Sequence, residues 1–242
     1  MWHKIKASLY RDTKELFRNM TLLTSVLLPV LLAVMFYFTL ESIENEAVGA
    51  HIKNRMLLIL FYLVYGITLM SALTFNITTS MAEENEKGYF QHFVHTEKDY
   101  QGTIWSKVIL YSIVSVLTVA VVMIIFNPPL NFGIYDYVGM ACIFVVFILL
   151  GIAIGLTAKS VSQTAVFIIP FMIFIAMTPM GEVIFGVYNE AALSVSWFNL
   201  LYLNMMINEG QVWQGMLGNA VYIVLSFLLV VFCYRHKRFK IE

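Results

Sequence analysis

Residues 56–82 read MLLILFYLVYGITLMSALTFNITTSMA, an uncharged stretch that is long enough to cross a lipid bilayer as one helix. The next residues, 83–107, read EENEKGYFQHFVHTEKDYQGTIWSK and are rich in charged and aromatic side chains. A second apolar stretch, 108–126, follows directly. A passive membrane anchor needs no such insert. The pattern therefore predicts two membrane helices joined by a segment that lies on the membrane surface and contacts another molecule.

The rest of the chain has the same apolar character. Of its 242 residues, 60% are hydrophobic and only 12% are charged, a composition typical of membrane proteins. A membrane helix needs about 20 mainly apolar residues. Six stretches meet that requirement, at residues 20–40, 56–82, 108–126, 137–158, 161–180 and 212–234. We therefore expect one all-α membrane domain over residues 1–242, with six transmembrane helices.

The positive charges predict the orientation of these helices. Every Lys and Arg except Lys53 and Arg55 lies in a segment on the same side as the N-terminus. Because cytoplasmic segments carry the excess of Lys and Arg, both termini are expected in the cytoplasm. A seventh span at residues 191–207 would put the basic C-terminus outside. We therefore expect an outer-face helix or a re-entrant segment there.

The N-terminal residues, 1–19, predict an amphipathic helix in the lipid headgroup layer. Trp2, Ile5, Leu9, Leu16 and Phe17 share one helical face, and the basic residues lie elsewhere on the helix. The alternative is a solvated basic tail that only sets the topology. The helical spacing of the apolar residues favours the interfacial helix.

No pattern typical of an enzyme is present. The sequence contains no His-Glu-x-x-His metal motif, no Gly-x-Ser-x-Gly nucleophile motif and no Gly-x4-Gly-Lys-Ser/Thr phosphate loop. His92 and His95 alone are too few ligands for a metal site. The predicted spans lack an internal carboxylate or His that would couple transport to an ion, and Lys107 is expected at the membrane edge with its amine in water. We therefore expect no catalytic residue, no metal and no cofactor on this chain.

The insert resembles a motif of the permease subunits of type-2 ATP-binding-cassette (ABC) exporters. Those proteins show Glu-x-Gly after the second span, then an apolar helix, and a basic residue that enters the third span. The matching positions are Glu86, Gly88, Phe90, Phe93, Thr96 and Lys107. Tyr89, Gln91 and Glu97 stand where the family has Thr, an acidic residue and Pro. The N-terminal amphipathic helix, the six spans and the short outer-face helices expected before span 6 also match the family's plan.

The resemblance implies partners and a contact site. A cytoplasmic coupling helix between spans 2 and 3 would bind a separate ABC ATPase that carries ATP and Mg²⁺, and Gly88 would let the chain turn at the membrane surface. The residues implied in that contact are Glu86, Gly88, Tyr89, Phe90, His92, Phe93 and Thr96. Two ATPases and a second permease, identical or homologous, would complete the unit in the bacterial plasma membrane. Membrane lipids are further partners, and no nucleic acid is expected.

A stripe of hydroxyl side chains on span 2 is the candidate translocation path. Thr68, Ser71, Thr74 and Thr78 lie within a narrow helical arc, and Pro170 permits a kink in span 5. The alternative for these hydroxyls is hydrogen bonding between helices.

Together these features predict the transmembrane subunit of an ATP-driven exporter. The lack of buried charge favours a hydrophobic or amphipathic cargo such as a peptide, toxin or drug, and the chain is similar to small peptide exporters of Gram-positive bacteria. The alternatives are a permease for polysaccharide or teichoic-acid precursors, a membrane enzyme, and a non-transporting receptor or assembly factor.

Overall fold

The computed structural model describes residues 2–45, 50–88, 97–126, 132–176, 178–185 and 198–238. Apart from short turns these residues are helical, and no strand occurs among them, which confirms the all-α prediction for this part of the chain. In chain order the helices are α1 (Trp2–Arg18), α2 (Met20–Asn45), α3 (Ala50–Thr68), α4 (Asn76–Glu86), α5 (Glu97–Phe126), α6 (Ile134–Thr157), α7 (Val161–Phe171), α8 (Met180–Phe185), α9 (Leu200–Asn208) and α10 (Val212–Arg238). Two π-helical segments, Leu69–Phe75 and Met172–Ala176, continue α3 and α7.

Five helical runs in the described residues are long and apolar enough to cross a membrane: Met20–Thr39, His51–Glu86, Tyr100–Ile125, Ile134–Thr157 and Val212–His236. The predicted six-span layout is therefore confirmed only in part. In the stretch predicted as a span at residues 161–180, α7 and its π-helical segment are helical to Ala176, and a turn at residues 178 and 179 precedes α8. Pro170 lies just before the change from α-helix to π-helix, and Pro179 lies in the turn, in keeping with the missing N–H and the steric clash of proline.

The helix formed by α3, its π-helical segment and α4 is the core of the bundle. It runs continuously over His51–Glu86, and 94% of its most apolar window is buried. The helices α2, α5, α6 and α9 pack around it. By contrast, only 17% of the corresponding windows of α2 and α10 is buried, so most of the surface of those two helices does not contact the rest of the described chain.

Helix α6 packs closely on α4 through small residues. A Cβ atom added at Gly151 would lie 3.3 Å from the Cβ of Ile77, and one added at Gly155 would lie 2.8 Å from the Sδ of Met81. Glycines spaced four residues apart on a membrane helix let two backbones approach in this way. The contact is therefore made within the subunit.

Helix α1 packs against the bundle with the face that was predicted to contact lipid. Ile5 and Leu16 are buried, and Leu9 is half-buried against the core. Their main neighbour is α5, where Gly102 leaves room for Ile5. Phe17 is 70% exposed, and the side chain of Trp2 lies outside the described part of the structure. The predicted helix is present, but most of its apolar face is used for protein contact.

Helix α9 enters the bundle at the end that holds Arg55. Residues 200–207 are all buried, and α9 contacts α3, α6 and α10. Glycines make room for it, since a Cβ atom at Gly66 would lie 2.4 Å from Leu201 Cδ1 and one at Gly218 would lie 2.5 Å from Leu203 Cδ1. Helix α9 is thus packed against its neighbours in the bundle, and its position relative to the membrane stays a prediction. Residues 186–197 lie outside the described part.

Candidate functional site

The predicted coupling residues fall at the end of α4 and in the segment that follows it. Glu86 and Gly88 are described, whereas Tyr89, Phe90, His92, Phe93 and Thr96 lie outside the described residues. Gly88 has a φ of 67°, in the left-handed region that favours glycine. Its N–H donates to the carbonyl oxygen of Asn85 at 3.2 Å. The turn predicted at Gly88 is present, and it ends α4.

The last turn of α4 is bonded to the turn between α6 and α7. The backbone N–H of Val161 donates to Glu86 Oε2 at 3.1 Å. The side-chain amide of Asn85 donates to the carbonyl oxygens of Gly155 and Ala158, at 3.2 and 2.7 Å. These are unpaired groups of helix ends, which need partners from outside their own helix. Two adjacent side chains of α4 thus bind the end of α6 and the start of α7.

Lys107 is buried, in contrast to the prediction that its amine reaches water. Its side chain is 0% exposed. The Nζ atom donates to Ser80 Oγ at 2.7 Å and lies 3.2 Å from Glu84 Oε1 and 3.5 Å from Asp12 Oδ1. A buried ammonium group needs paired charges and hydrogen-bond partners, and α1 and α4 supply both.

Arg11 and Ser106 complete this group of charges. The guanidinium of Arg11 binds Glu84 and lies 2.8 Å from Asp12 Oδ1, and Ser106 Oγ donates to Asp12 Oδ2 at 3.1 Å. We call the six residues the buried charge cluster: Arg11, Asp12, Ser80, Glu84, Ser106 and Lys107. The cluster joins α1, α4 and α5, and so it joins both helices that flank residues 89–96 to the N-terminal helix.

Asp12 is the functional residue that sequence reasoning missed. It is fully buried, although the interpretation of α1 considered only its apolar and basic residues. The signal was present, because Ile5, Leu9, Asp12 and Leu16 follow one another at helical spacing. An acidic residue on the apolar face of a helix indicates a charged partner in the neighbouring element.

The predicted path residues are buried inside the subunit. Thr74 Oγ1 donates to the carbonyl oxygen of Phe147 at 2.9 Å, and Thr78 Oγ1 to that of Gly151 at 3.2 Å. For these two, the geometry is the interhelical hydrogen bonding named as the alternative. Thr68 and Ser71 bond to carbonyls of their own helix. A role for any of the four in a translocation path stays a prediction.

Ser71 nevertheless borders a cleft at the surface of the bundle. The cleft has a volume of about 280 Å³ and mainly apolar walls. Its lining residues come from α2, the buried core helix and the α7 region: Thr21, Thr24, Ser25, Leu28, Met70, Ser71, Phe75, Ile168 and Met172. Pro170 is exposed and does not line it.

A second ion pair lies at the opposite end of the core helix. Arg55 is 2% exposed, and its Nη1 atom lies 2.6 Å from Glu209 Oε1, directly after α9. The guanidinium carbon also lies 5.3 Å from the centroid of the Tyr202 ring. The start of α3 is therefore bonded to the end of α9.

Comparison with protein families supports the resemblance found in the sequence. The family model described as ABC-2 type transporter matches residues 3–207, which is most of the chain. The match runs from α1 into α9 and includes both ends of the segment 89–96. No curated protein matches the chain.

Proposed function

The chain belongs to the ABC-2 type transporter family and is the membrane component of an ABC transporter, and we propose that it is the transmembrane subunit of an ATP-driven exporter. As a multi-pass transport subunit it is not itself the catalyst. ATP and Mg²⁺ belong, in this proposal, to a separate ABC ATPase. The chain lies in the bacterial plasma membrane with both termini in the cytoplasm.

The observation that carries the proposal is the bonding on both sides of residues 89–96. On one side, α4 is held to the α6–α7 turn by Asn85 and Glu86. On the other side, α5 is held to α1 and α4 by Lys107. We expect an ATPase to bind five residues of the segment between α4 and α5: Tyr89, Phe90, His92, Phe93 and Thr96. Its movement would then shift α4 and α5 together with the elements bonded to them. A passive anchor would have no use for a segment connected in this way.

The working assembly in this proposal contains two ATPases and two permeases, identical or homologous. The apolar surfaces of α2, α7 and α10 are available for a second permease or for lipid. A hydrophobic or amphipathic cargo, such as a peptide, toxin or drug, suits the mainly apolar cleft that borders Ser71. Two alternative functions compete with this proposal. One is export of a polysaccharide or teichoic-acid precursor, and the other is a role as a non-transporting receptor or assembly factor.

The test is co-purification of the chain with candidate ABC ATPases of the same organism, followed by ATP-dependent export in vesicles. We expect Phe90→Ala combined with Phe93→Ala to lower both ATPase association and export by about tenfold or more, because aromatic residues dominate such contacts. The control is Phe227→Ala combined with Phe232→Ala, which removes two exposed rings of α10. If the Phe90/Phe93 variant associates and exports as the control does, the contact site is wrong. If the unaltered chain binds the ATPase but no export occurs, the result favours the non-transporting receptor or assembly factor.

A further inference from the structure

A recess with charged walls lies between α1 and the end of α4. Its volume is about 860 Å³. Its lining residues are Arg11, Lys14, Glu15, Arg18, Asn19, Met20, Thr21, Glu83, Glu84 and Lys87. Phe17 and Met20, on either side of Arg18 in the sequence, are 70% and 74% exposed. Exposed apolar side chains beside basic ones are typical of a surface at the lipid headgroup layer.

The recess is lined by four cations and three carboxylates, and each carboxylate lies beside a cation. Glu84 is bound by Arg11 and Lys107 within the buried charge cluster. Lys87 Nζ lies 3.6 Å from Glu15 Oε1 and 3.7 Å from Glu83 Oε2. Glu83 also accepts a hydrogen bond from Asn19 at 2.8 Å.

Two cations of the recess have no such partner. Lys14 and Arg18 are exposed, and among the described residues neither forms an ion pair with a carboxylate. Lys14 only places its Nζ atom 4.5 Å from the centroid of the Tyr10 ring. They lie four residues apart on α1, so their side chains are neighbours on one helical face. The charge left open in the recess is therefore positive.

The charged recess continues into the apolar cleft described above. Thr21 lines both cavities. From there the cleft follows one face of α2, since Thr21, Thr24, Ser25 and Leu28 recur at the spacing of a single helical face. Its far wall is formed by Met172 and other apolar side chains. A polar cavity and an apolar cavity thus meet at one residue, near the exposed Met20.

We propose that the two cavities form one binding site for an anionic phospholipid of the leaflet that α1 contacts. The phosphate binds Lys14 and Arg18, whose N–H groups are the donors that phosphate oxygens prefer. The glycerol region passes Thr21, and an acyl chain lies along Thr24 and Leu28 in the cleft. A zwitterionic lipid fits less well, because the open charge of the recess is positive and its carboxylates are occupied. The lipid would contact α1, α2, α7 and the core helix that ends in α4, all of which line the two cavities.

The experiment measures bound lipid on the purified full chain by native mass spectrometry. The protein is taken from vesicles that contain equal amounts of phosphatidylglycerol and phosphatidylcholine with the same acyl chains. We expect retained phosphatidylglycerol to exceed phosphatidylcholine, and Lys14→Gln combined with Arg18→Gln to lower that ratio by about tenfold or more. The matched control is Lys6→Gln combined with Arg235→Gln, two exposed basic residues outside the recess, and it should leave the ratio unchanged.

Two further measurements test whether the apolar cleft binds the acyl chain and whether a soluble phosphate compound competes for the site. Leu28→Trp fills the cleft and should lower retention of phosphatidylglycerol; if that variant folds poorly, Thr24→Phe at an exposed position replaces it. Soluble glycerol 1-phosphate should not displace the lipid. Equal retention of both lipids, an equal loss in the Lys6/Arg235 control, unchanged retention after the cleft is filled, or displacement by glycerol 1-phosphate would each overturn the proposal.

Discussion

Lys107 is buried, although its place at the end of an apolar stretch predicts a side chain that reaches water. Long Lys side chains at the edge of a membrane helix usually extend towards water. Here Asp12 and Glu84 lie within 3.5 Å and 3.2 Å of its Nζ atom, so the amine stays inside the protein. The ion pairs replace the water that the amine has lost. Removal of this cation would leave the two buried carboxylates with Arg11 as the one remaining cation of the cluster.

The first prediction concerns this residue. Lys107→Ala should lower the free energy of unfolding by about 3–5 kcal/mol, because breaking a buried ion pair leaves uncompensated charge. The measurement is denaturant unfolding of the protein in detergent, monitored by the loss of the helical circular dichroism signal. Lys6→Ala, at an exposed position of α1, is the control.

A triple variant separates lost charge balance from lost packing. Asp12→Asn, Glu84→Gln and Lys107→Met together remove the three most buried charges while keeping side chains of similar size, and leave the charge of Arg11, whose side chain is 37% exposed. This variant should be more stable than Lys107→Ala alone, since neutral groups cost less to bury. A Lys107→Ala protein as stable as the Lys6→Ala control would contradict the structural role of the cluster.

At the scale of elements, the contact between α4 and α6 depends on glycine. A Cβ atom at Gly155 would lie 2.8 Å from Met81 Sδ and 3.0 Å from Met81 Cβ, closer than ordinary van der Waals contact. The helices approach this closely because Gly155 has no side chain. The same approach lets Asn85 reach the carbonyl oxygens of Gly155 and Ala158.

The second prediction follows from this contact. Gly155→Ala should destabilise the protein by about 1–3 kcal/mol through overpacking, and a second substitution, Met81→Ala, should recover part of the loss. The control is Gly102→Ala, where the nearest neighbour of the added Cβ atom is Ile5 Cγ1 at 3.9 Å. Denaturant unfolding of the four proteins, unaltered chain included, gives the comparison. Equal stability of Gly155→Ala and Gly102→Ala would show that α4 and α6 can separate without cost.

Helix α1 is the element for which sequence reasoning was least accurate. Its helical periodicity predicted the helix correctly, but the same periodicity cannot tell lipid from a protein neighbour, because both are apolar. Ile5 and Leu16 pack in the bundle for that reason. Similarly, a sum of apolar residues predicted one span at 161–180, although the helix changes to π geometry after Pro170 and a turn contains Pro179.

At the scale of the whole molecule, the core helix of α3, its π-helical segment and α4 is held by charge at both ends. Glu84 binds Lys107 and Arg11 at one end, and Arg55 binds Glu209 at the other. A helix of 36 residues is about 54 Å long at 1.5 Å per residue. Movement of residues 89–96 would therefore be carried along this helix to α9, if the proposed ATPase contact drives it.

The third prediction concerns orientation in the membrane. In a background with Cys142→Ala and Cys233→Ala, a membrane-impermeant thiol reagent should label Glu190→Cys in intact cells. His95→Cys should react only after the membrane is permeabilised. The reason is the concentration of Lys and Arg on the side that holds both termini. Labelling of His95→Cys in intact cells, with Glu190→Cys protected, would reverse the topology.

Hydropathy and motif spacing alone predict the all-α membrane class, the long apolar helices and the resemblance to the ABC-2 family. These depend on local properties, since hydropathy and helical hydrogen bonds are satisfied within one segment. Tertiary structure decided which polar residues meet. Asp12 and Lys107 are separated by 95 positions in the chain, and neither shows alone whether it lies in water or in an ion pair. Only the packing of α1, α4 and α5 brings the opposite charges together and makes their burial favourable.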